Sequence, residues 1–111
     1  MNVDDYQKET KKSARKVDES FPQELSIAIL CMGLAGESGE VVDLLKKHLG
    51  HGHDLDKTKL TKELGDVTWY VSEIANAFGI KLSDILQVNI DKLRKRYPDG
   101  FSEEASKNRK E

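Results

Sequence analysis

Apolar residues recur at steps of three and four along most of the chain, which is the spacing of an amphipathic helix. The first such segment spans residues 2–20, and its less polar positions are Val3, Tyr6, Thr10, Ala14 and Val17. Ser20 and Pro22 then form a break, because serine is a common helix cap and proline is tolerated only in a first helical turn. The pattern therefore predicts a polar outer helix, with a second helix starting near Pro22.

The second predicted helix covers about residues 23–48, and its apolar positions are Leu30, Leu34, Val41, Leu44 and Leu45. The glycine-containing polar segment GHGHDLD, residues 50–56, follows as a connection. Cys31 is the single cysteine of the chain and lies in an apolar run of this helix, so we expect it to be buried. One cysteine excludes an intramolecular disulfide and fits a reducing compartment.

Two more helices are predicted in the second half of the chain. The third covers about residues 57–78, with Asp56 as its cap and Gly79 as its stop. The fourth is predicted to be capped by Ser83 and to end at Tyr97, which precedes a proline. The chain thus reads as all-α.

The size and composition of the chain fit one small helical domain. It has 111 residues, of which 34% are charged and 37% hydrophobic, a balance typical of helices that each bury one stripe. We assign residues 1–101 to a single helical domain. Residues 102–111 are charged and without apolar periodicity, so we predict a mostly loose tail.

Charge and hydropathy argue against nucleic-acid and membrane partners. The formal net charge is -2, so no overall basic field attracts phosphate backbones. The longest apolar run, residues 27–35, is too short to span a bilayer. The N-terminus begins with acids and lacks the basic start and apolar run of a secretory signal, and we expect a cytoplasmic protein.

Two acidic pairs carry the strongest chemical signal. Glu37 and Glu40 lie three residues apart on the second helix, and Glu63 and Asp66 do so on the third. Each pair falls within or beside the apolar stripe, so antiparallel packing would bring four carboxylates to the edge of the core. Their mutual repulsion and lost hydration would raise their pKa values unless a cation compensates. Oxygen ligands prefer Mg²⁺ and then Mn²⁺, and Mg²⁺ usually clamps substrate phosphates.

The alternative is that these acids merely decorate a solvated helix face. The glycines at 33, 36 and 39 weigh against it, because each costs about 1 kcal/mol relative to alanine inside a helix. They form a strip without side chains beside the glutamates, which serves either close packing of another helix or a ligand. The glycines do not form a phosphate-binding P-loop, because Glu40 and Val41 stand where lysine and a hydroxyl residue are needed.

The fourth helix offers positive charge at a regular spacing. Asn89, Lys92 and Arg96 share one face that suits triphosphate oxygens, although an ordinary basic surface has the same pattern. Three histidines cluster near the connection, but they lack the fixed scaffold of a zinc site and read as a solvated loop: His48, His51 and His53.

Three blocks of sequence then point to a family. GLAGESGEVVDLLKK, KELGDVTWYVSEIA and NIDKLRKRYPDGF occur in this order within residues 25–101. With them the chain resembles the MazG-like nucleoside triphosphate pyrophosphohydrolases of the all-α NTP pyrophosphatase superfamily. The resemblance implies a bundle of four to five helices, oligomeric as a homodimer or a dimer of dimers, with a metal site between helices two and three. It also implies hydrolysis of (deoxy)nucleoside triphosphates to monophosphate and pyrophosphate, a housekeeping activity on the nucleotide pool.

The resemblance assigns roles to eight residues. The catalytic Mg²⁺ ligands, with Mn²⁺ as a substitute, would be Glu37, Glu40, Glu63 and Asp66. The residues that contact substrate or hold the site together would be Asn89, Lys92, Arg96 and Tyr97. Trp69 and Tyr70 either stack on a base or belong to the core. A competing hypothesis is a non-catalytic protein that uses the same fold for oligomerisation or nucleotide sensing, and the intact set of four acids favours catalysis.

Overall fold

The computed structural model of the chain describes residues 1–16 and 22–109. These residues are helical throughout, apart from short connections, which confirms the all-α prediction. The helices are α1 (Val3–Ser13), α2 (Gln23–His51), α3 (Lys57–Ala77), α4 (Leu82–Arg96) and α5 (Glu103–Lys107).

The centre of the fold is an antiparallel pair formed by α2 and α3. The connection between them begins with Gly52, whose φ of 71° ends α2 in a left-handed conformation that suits glycine. Helix α1 packs against α3 and α4. The consequence is that α3 is covered on two sides, whereas α2 is covered mainly by α3.

Caps explain where the helices begin. The side chain of Asp56 accepts a hydrogen bond from the Lys59 N–H at 3.1 Å, as predicted for the start of α3. The predicted cap Ser83 is wrong, because α4 begins at Leu82 and Ser83 lies in its first turn. A distant residue replaces it: Gln7 of α1 accepts from the Leu82 N–H at 2.8 Å. Gln7 also donates to the carbonyl oxygen of Ile80 at 2.8 Å, so its amide fixes the start of α4 from outside.

The other helix ends differ from the sequence-based bounds by a few residues. Helix α1 ends at Ser13 instead of reaching residue 20, and the predicted cap Ser20 lies outside the described residues. A short helix, α5, forms within the segment predicted to be a loose tail, with Ser102 accepting from the Ala105 N–H at 3.0 Å. The division into a domain and a tail stays a prediction.

The described residues bury little apolar surface. Among these residues the buried apolar side chains are Ala75 and Leu82, and α2 contains no buried residue. Cys31 is exposed, which corrects the prediction that it is buried. The reason is that α3 covers only one side of α2. On its uncovered side α2 exposes several large apolar residues, among them Met32, Val42 and Leu49.

The long helix α2 is also strongly apolar. By length and composition alone it is apolar enough to cross a membrane, a test that core helices of soluble proteins also pass. The run of residues 27–35 therefore understates its hydropathy, because the apolar character extends further along the helix. In the fold this helix packs against α3.

Candidate metal centre

Three of the four predicted carboxylates come together between α2 and α3. One carboxylate oxygen each of Glu37, Glu63 and Asp66 lies within 4.8 Å of the other two. Glu37 and Glu63 are partly buried, and Asp66 is exposed. Glu37 faces the other two because α2 and α3 run antiparallel, and Glu63 and Asp66 share a face because they lie three residues apart on one helix.

The electrostatics of the group are those of crowded like charges. Partial burial raises the pKa of the Glu37 carboxyl, and the charge of Asp66 and a hydrogen bond with Glu63 raise it further. A cation bound between these carboxylates would relieve the repulsion that raises this pKa.

The donor set fits a hard divalent cation. It consists of carboxylate oxygens from two packed helices, and Asp66 leaves one side open to solvent. Mg²⁺ binds proteins through a few carboxylates and keeps several waters, which suits a group of this composition and exposure. Glu37, Glu63 and Asp66 are the residues that would hold it.

Glu40 lies outside this group. It is exposed on α2, and its charge is the smallest of the contributions that raise the pKa of Glu37. Glu40 is therefore close enough to act electrostatically, and its role as a ligand stays a prediction.

Gly33 allows the aromatic ring next to the carboxylates to lie against α2. A Cβ atom built on Gly33 would overlap the ring of Tyr70, one turn after Asp66, whereas Gly36 and Gly39 meet nothing within 4 Å. The first glycine of the strip thus serves close packing within the chain. The other two are open on the uncovered side of α2.

Helix α1 borders the group from the other side. Burial raises the pKa of the Tyr6 phenol, and the nearby negative charge of Asp66 adds to the effect. The sequence pattern placed Tyr6 only on the apolar side of α1. Its closeness to Asp66 follows from the packing of α1 on α3.

The residues predicted on α4 are placed differently. Asn89 is exposed, and Asn89 and Lys92 line a shallow depression of about 310 Å³ along α4. Arg96 is buried, and the ring of Tyr97 packs against Phe101 with 5.5 Å between ring centroids. Among the described residues α4 packs mainly against α1. The substrate role of these four residues stays a prediction.

The three histidines lie around the end of α2. The ring Nδ1 of His48 lies 2.7 Å from the carbonyl oxygen of His53, and the rings of His51 and His53 are 6.3 Å apart. Among the described residues, the potential metal ligands that come together are acidic and include no histidine. His48 and His51 belong to the last turn of α2 and His53 to the connection, so the connection begins later than predicted.

A cavity of about 780 Å³ lies beyond Tyr70, between the end of α1, the start of α2 and the end of α3. Its walls include aromatic, apolar and charged groups, among them Lys11, Leu30, Trp69, Tyr70 and Glu73. Sequence analysis missed both the cavity and the burial of Glu73. The sequence does indicate that Glu73 shares a face of α3 with the acidic pair, because the following residues recur at helical spacing: Glu63, Asp66, Tyr70 and Glu73.

Comparison with known proteins identifies the family of this helical chain with its acidic centre. The model of the MazG nucleotide pyrophosphohydrolase domain matches residues 26–101. The chain belongs to this family. It is also similar to the Gene 37 protein of Mycobacterium phage L5, with 36% identity over 87 residues that cover 75% of this chain and 76% of that protein. No solved structure matches the chain.

Proposed function

We propose that the chain is a Mg²⁺-dependent hydrolase that converts (deoxy)nucleoside triphosphates to monophosphate and pyrophosphate. The observation that carries the proposal is the convergence of Glu37, Glu63 and Asp66 between two helices of a MazG domain. Bound Mg²⁺, or Mn²⁺ in its place, would neutralise phosphate charge and acidify a water molecule. Family membership suggests nucleotide pyrophosphohydrolysis, and the metal and the substrates are parts of the proposal.

The carboxylates of the chain would position the cation and supply the negative charge that binds it. Glu37 and Glu63 present oxygens from facing helices, and partial burial limits the competing water around them. Asp66 lies on the exposed side, where a triphosphate can approach from solvent. Because the pKa of Glu37 is raised, this carboxyl holds a proton more readily than an ordinary glutamate when no cation is bound.

The proposal predicts how acidic variants behave in a pyrophosphate-release assay. Wild-type protein should form monophosphate and pyrophosphate with Mg²⁺ or Mn²⁺ but not with chelator. Glu63→Gln removes one charge of the group and should reduce kcat/KM about a hundredfold or more. Glu24→Gln makes the same change at an exposed position of α2 and should leave turnover unchanged.

Each of three results would contradict one part of the proposal. Full turnover by Glu63→Gln would show that the acidic group is not the catalytic centre. Release of inorganic phosphate alone would mean that a different bond is cleaved. Nucleotide binding without any turnover across all common triphosphates would favour a nucleotide sensor on the same fold.

We propose further that the chain acts as a homo-oligomer, a homodimer or a dimer of dimers. The support is the apolar side of α2, where Met32 and Val42 are 62% and 63% exposed. Single apolar side chains at a surface are common, but a row of them on one helix indicates a partner. We also propose that the protein is cytoplasmic and binds neither nucleic acid nor membranes, and that a second copy, instead of lipid, covers α2.

A further inference from the structure

The cavity beyond Tyr70 contains a buried carboxylate. Only 6% of Glu73 is exposed, although it lines the cavity. Its Oε2 accepts hydrogen bonds from Thr10 Oγ1 at 2.8 Å and from Asn76 Nδ2 at 2.7 Å. Its Oε1 takes part in no hydrogen bond with the described residues. A buried carboxylate that uses one oxygen leaves a strong acceptor for a ligand with N–H donors.

The network around Glu73 holds this acceptor in place. Thr10 Oγ1 also lies 2.7 Å from Ser72 Oγ, and both of these residues are almost completely buried. The amide of Asn76 is fixed in turn by Gln7, whose Nε2 donates to Asn76 Oδ1 at 2.9 Å. Because its partners are fixed, Glu73 cannot easily turn away, and the cavity presents a preorganised acceptor.

The position of Glu73 relative to the acidic centre fits one nucleotide. Asp66, Tyr70 and Glu73 follow each other at helical spacing on α3, so Glu73 lies about 10 Å along the helix from Asp66. That separation is comparable to the length of a nucleoside. A triphosphate at the acidic centre would thus place its base in the cavity.

The other walls suit an aromatic, negatively charged ligand. Trp69 and Tyr70 stand edge to face with ring centroids 5.0 Å apart, and the indole N–H of Trp69 donates to Ser13 Oγ at 2.8 Å. Such fixed rings are good stacking surfaces for a nucleobase. Lys11 and Lys16 also line the cavity and favour an anionic ligand over a neutral one.

The chemistry of the base edges then selects among nucleobases. Guanine presents two adjacent donors, N1–H and the N2 amino group. Adenine and cytosine place a ring-nitrogen acceptor beside their amino group, and uracil and thymine flank one N–H with two carbonyl oxygens. Because Oε2 already accepts from Thr10 and Asn76, a base must bind at Oε1, and a base acceptor beside that oxygen would be repelled. Guanine is the base that can direct two adjacent donors to Oε1 and places no acceptor between them, so it is the most complementary.

We propose that Glu73 is a specificity-determining residue whose free Oε1 accepts hydrogen bonds from the N1–H and N2–H groups of guanine, and that guanine nucleoside triphosphates are the preferred substrates. The assignment rests on the proposed function for the position of the triphosphate. The recognition of the base does not depend on turnover, so the two proposals can be tested separately.

Trp69 provides the direct assay, because it is the single tryptophan of the chain and lines the cavity. Quenching of its fluorescence would be titrated with guanosine, inosine and adenosine monophosphates in the presence of chelator. Inosine lacks only the N2 amino group. We expect guanosine monophosphate to bind roughly tenfold or more tightly than either of the other two.

Variants separate recognition from stability. Glu73→Gln turns part of the acceptor into a donor and should remove the guanine preference. Glu24→Gln, the same change at an exposed site, should retain it. Thr10→Val removes one of the two bonds that hold Oε2 but leaves the carboxylate in place, so it should lower the melting temperature and weaken the preference without removing it.

Equal affinities of the wild-type protein for the three monophosphates would overturn the proposal, even if Glu73→Gln failed to fold. A guanine preference that survives unchanged in Glu73→Gln would also overturn it. Hydrolysis without guanine preference would leave the proposed function standing and reject this inference. Guanine binding without hydrolysis would support this inference and reject the proposed function.

Discussion

Replacing Gly33 with alanine tests the packing that holds the aromatic wall beside the acidic centre. Alanine in place of glycine at an open helical position stabilises a protein by about 1 kcal/mol. Gly36 and Gly39 have open space where a Cβ would lie, so Gly36→Ala should show this full gain. At Gly33 the new Cβ overlaps the ring of Tyr70. Such overpacking costs about 1 to 3 kcal/mol, so the net change should range from about zero to 2 kcal/mol of destabilisation.

The measurement is the free energy of unfolding from urea titration, with chelator and at one fixed protein concentration, because an oligomer's stability depends on concentration. Gly33→Ala should be less stable than Gly36→Ala by about 1 to 3 kcal/mol. The two variants carry the same chemical change on the same helix, so the difference reports the contact with Tyr70.

A double-mutant cycle with Tyr70→Ala makes the reasoning refutable. When the ring is absent, Gly33→Ala should become stabilising like Gly36→Ala. If Gly33→Ala is as stable as Gly36→Ala in the intact chain, or if its effect is the same with and without the ring, the proposed contact does not constrain this position.

Two other predictions concern the charge of the centre and the uncovered side of α2. The pKa of Glu37 is raised in the folded chain, so the protonated carboxyl stabilises the fold and this stabilisation is lost as the pH rises through the folded-state pKa. At neutral pH in chelator the carboxylate is charged, and Glu37→Gln should therefore raise the melting temperature. The gain should disappear below pH 4.5, and a gain that grows in acid would contradict the assignment. Val42→Lys should lower the molecular mass measured by light scattering towards that of one chain, whereas Lys8→Glu on polar α1 should not. An unchanged mass for Val42→Lys would place the interface elsewhere.

The sequence predicted what depends on local spacing. The helical period identified α2, α3 and α4, and Asp56 was recognised as a cap because its partner, Lys59, is three residues away. The grouping of Glu37 with Glu63 and Asp66 followed from the same rule once the two helices were taken as antiparallel.

The errors share a physical cause, which is contact between distant segments. Ser83 was the best local cap for α4, but Gln7 supplies the interaction from α1, and this cannot be read from the residues near Ser83. One of the two partners of Glu73 is likewise distant in the sequence, namely Thr10. A helical stripe shows that a residue faces inward, but it does not show which polar group meets it.

Cys31 illustrates a different limit. An apolar helical run predicts burial of its residues, yet burial requires a surface to cover them. Helix α3 covers one side of α2, and Cys31 lies on the rest of it.

The uncovered side of α2 connects the candidate metal centre to oligomer formation. Glu37 is held by a helix that has no fully buried residue, so one packed side and the helix's own hydrogen bonds fix its position. Carboxylates that repel one another push apart the two helices that present them, and among the described residues the packing of α2 on α3 is the main contact that resists this. A second copy on the apolar side of α2 would restrain it from behind, and a cation between the helices would remove the repulsion. Both would stabilise the same arrangement of Glu37 against Glu63 and Asp66, so metal binding and oligomer formation should each strengthen the other.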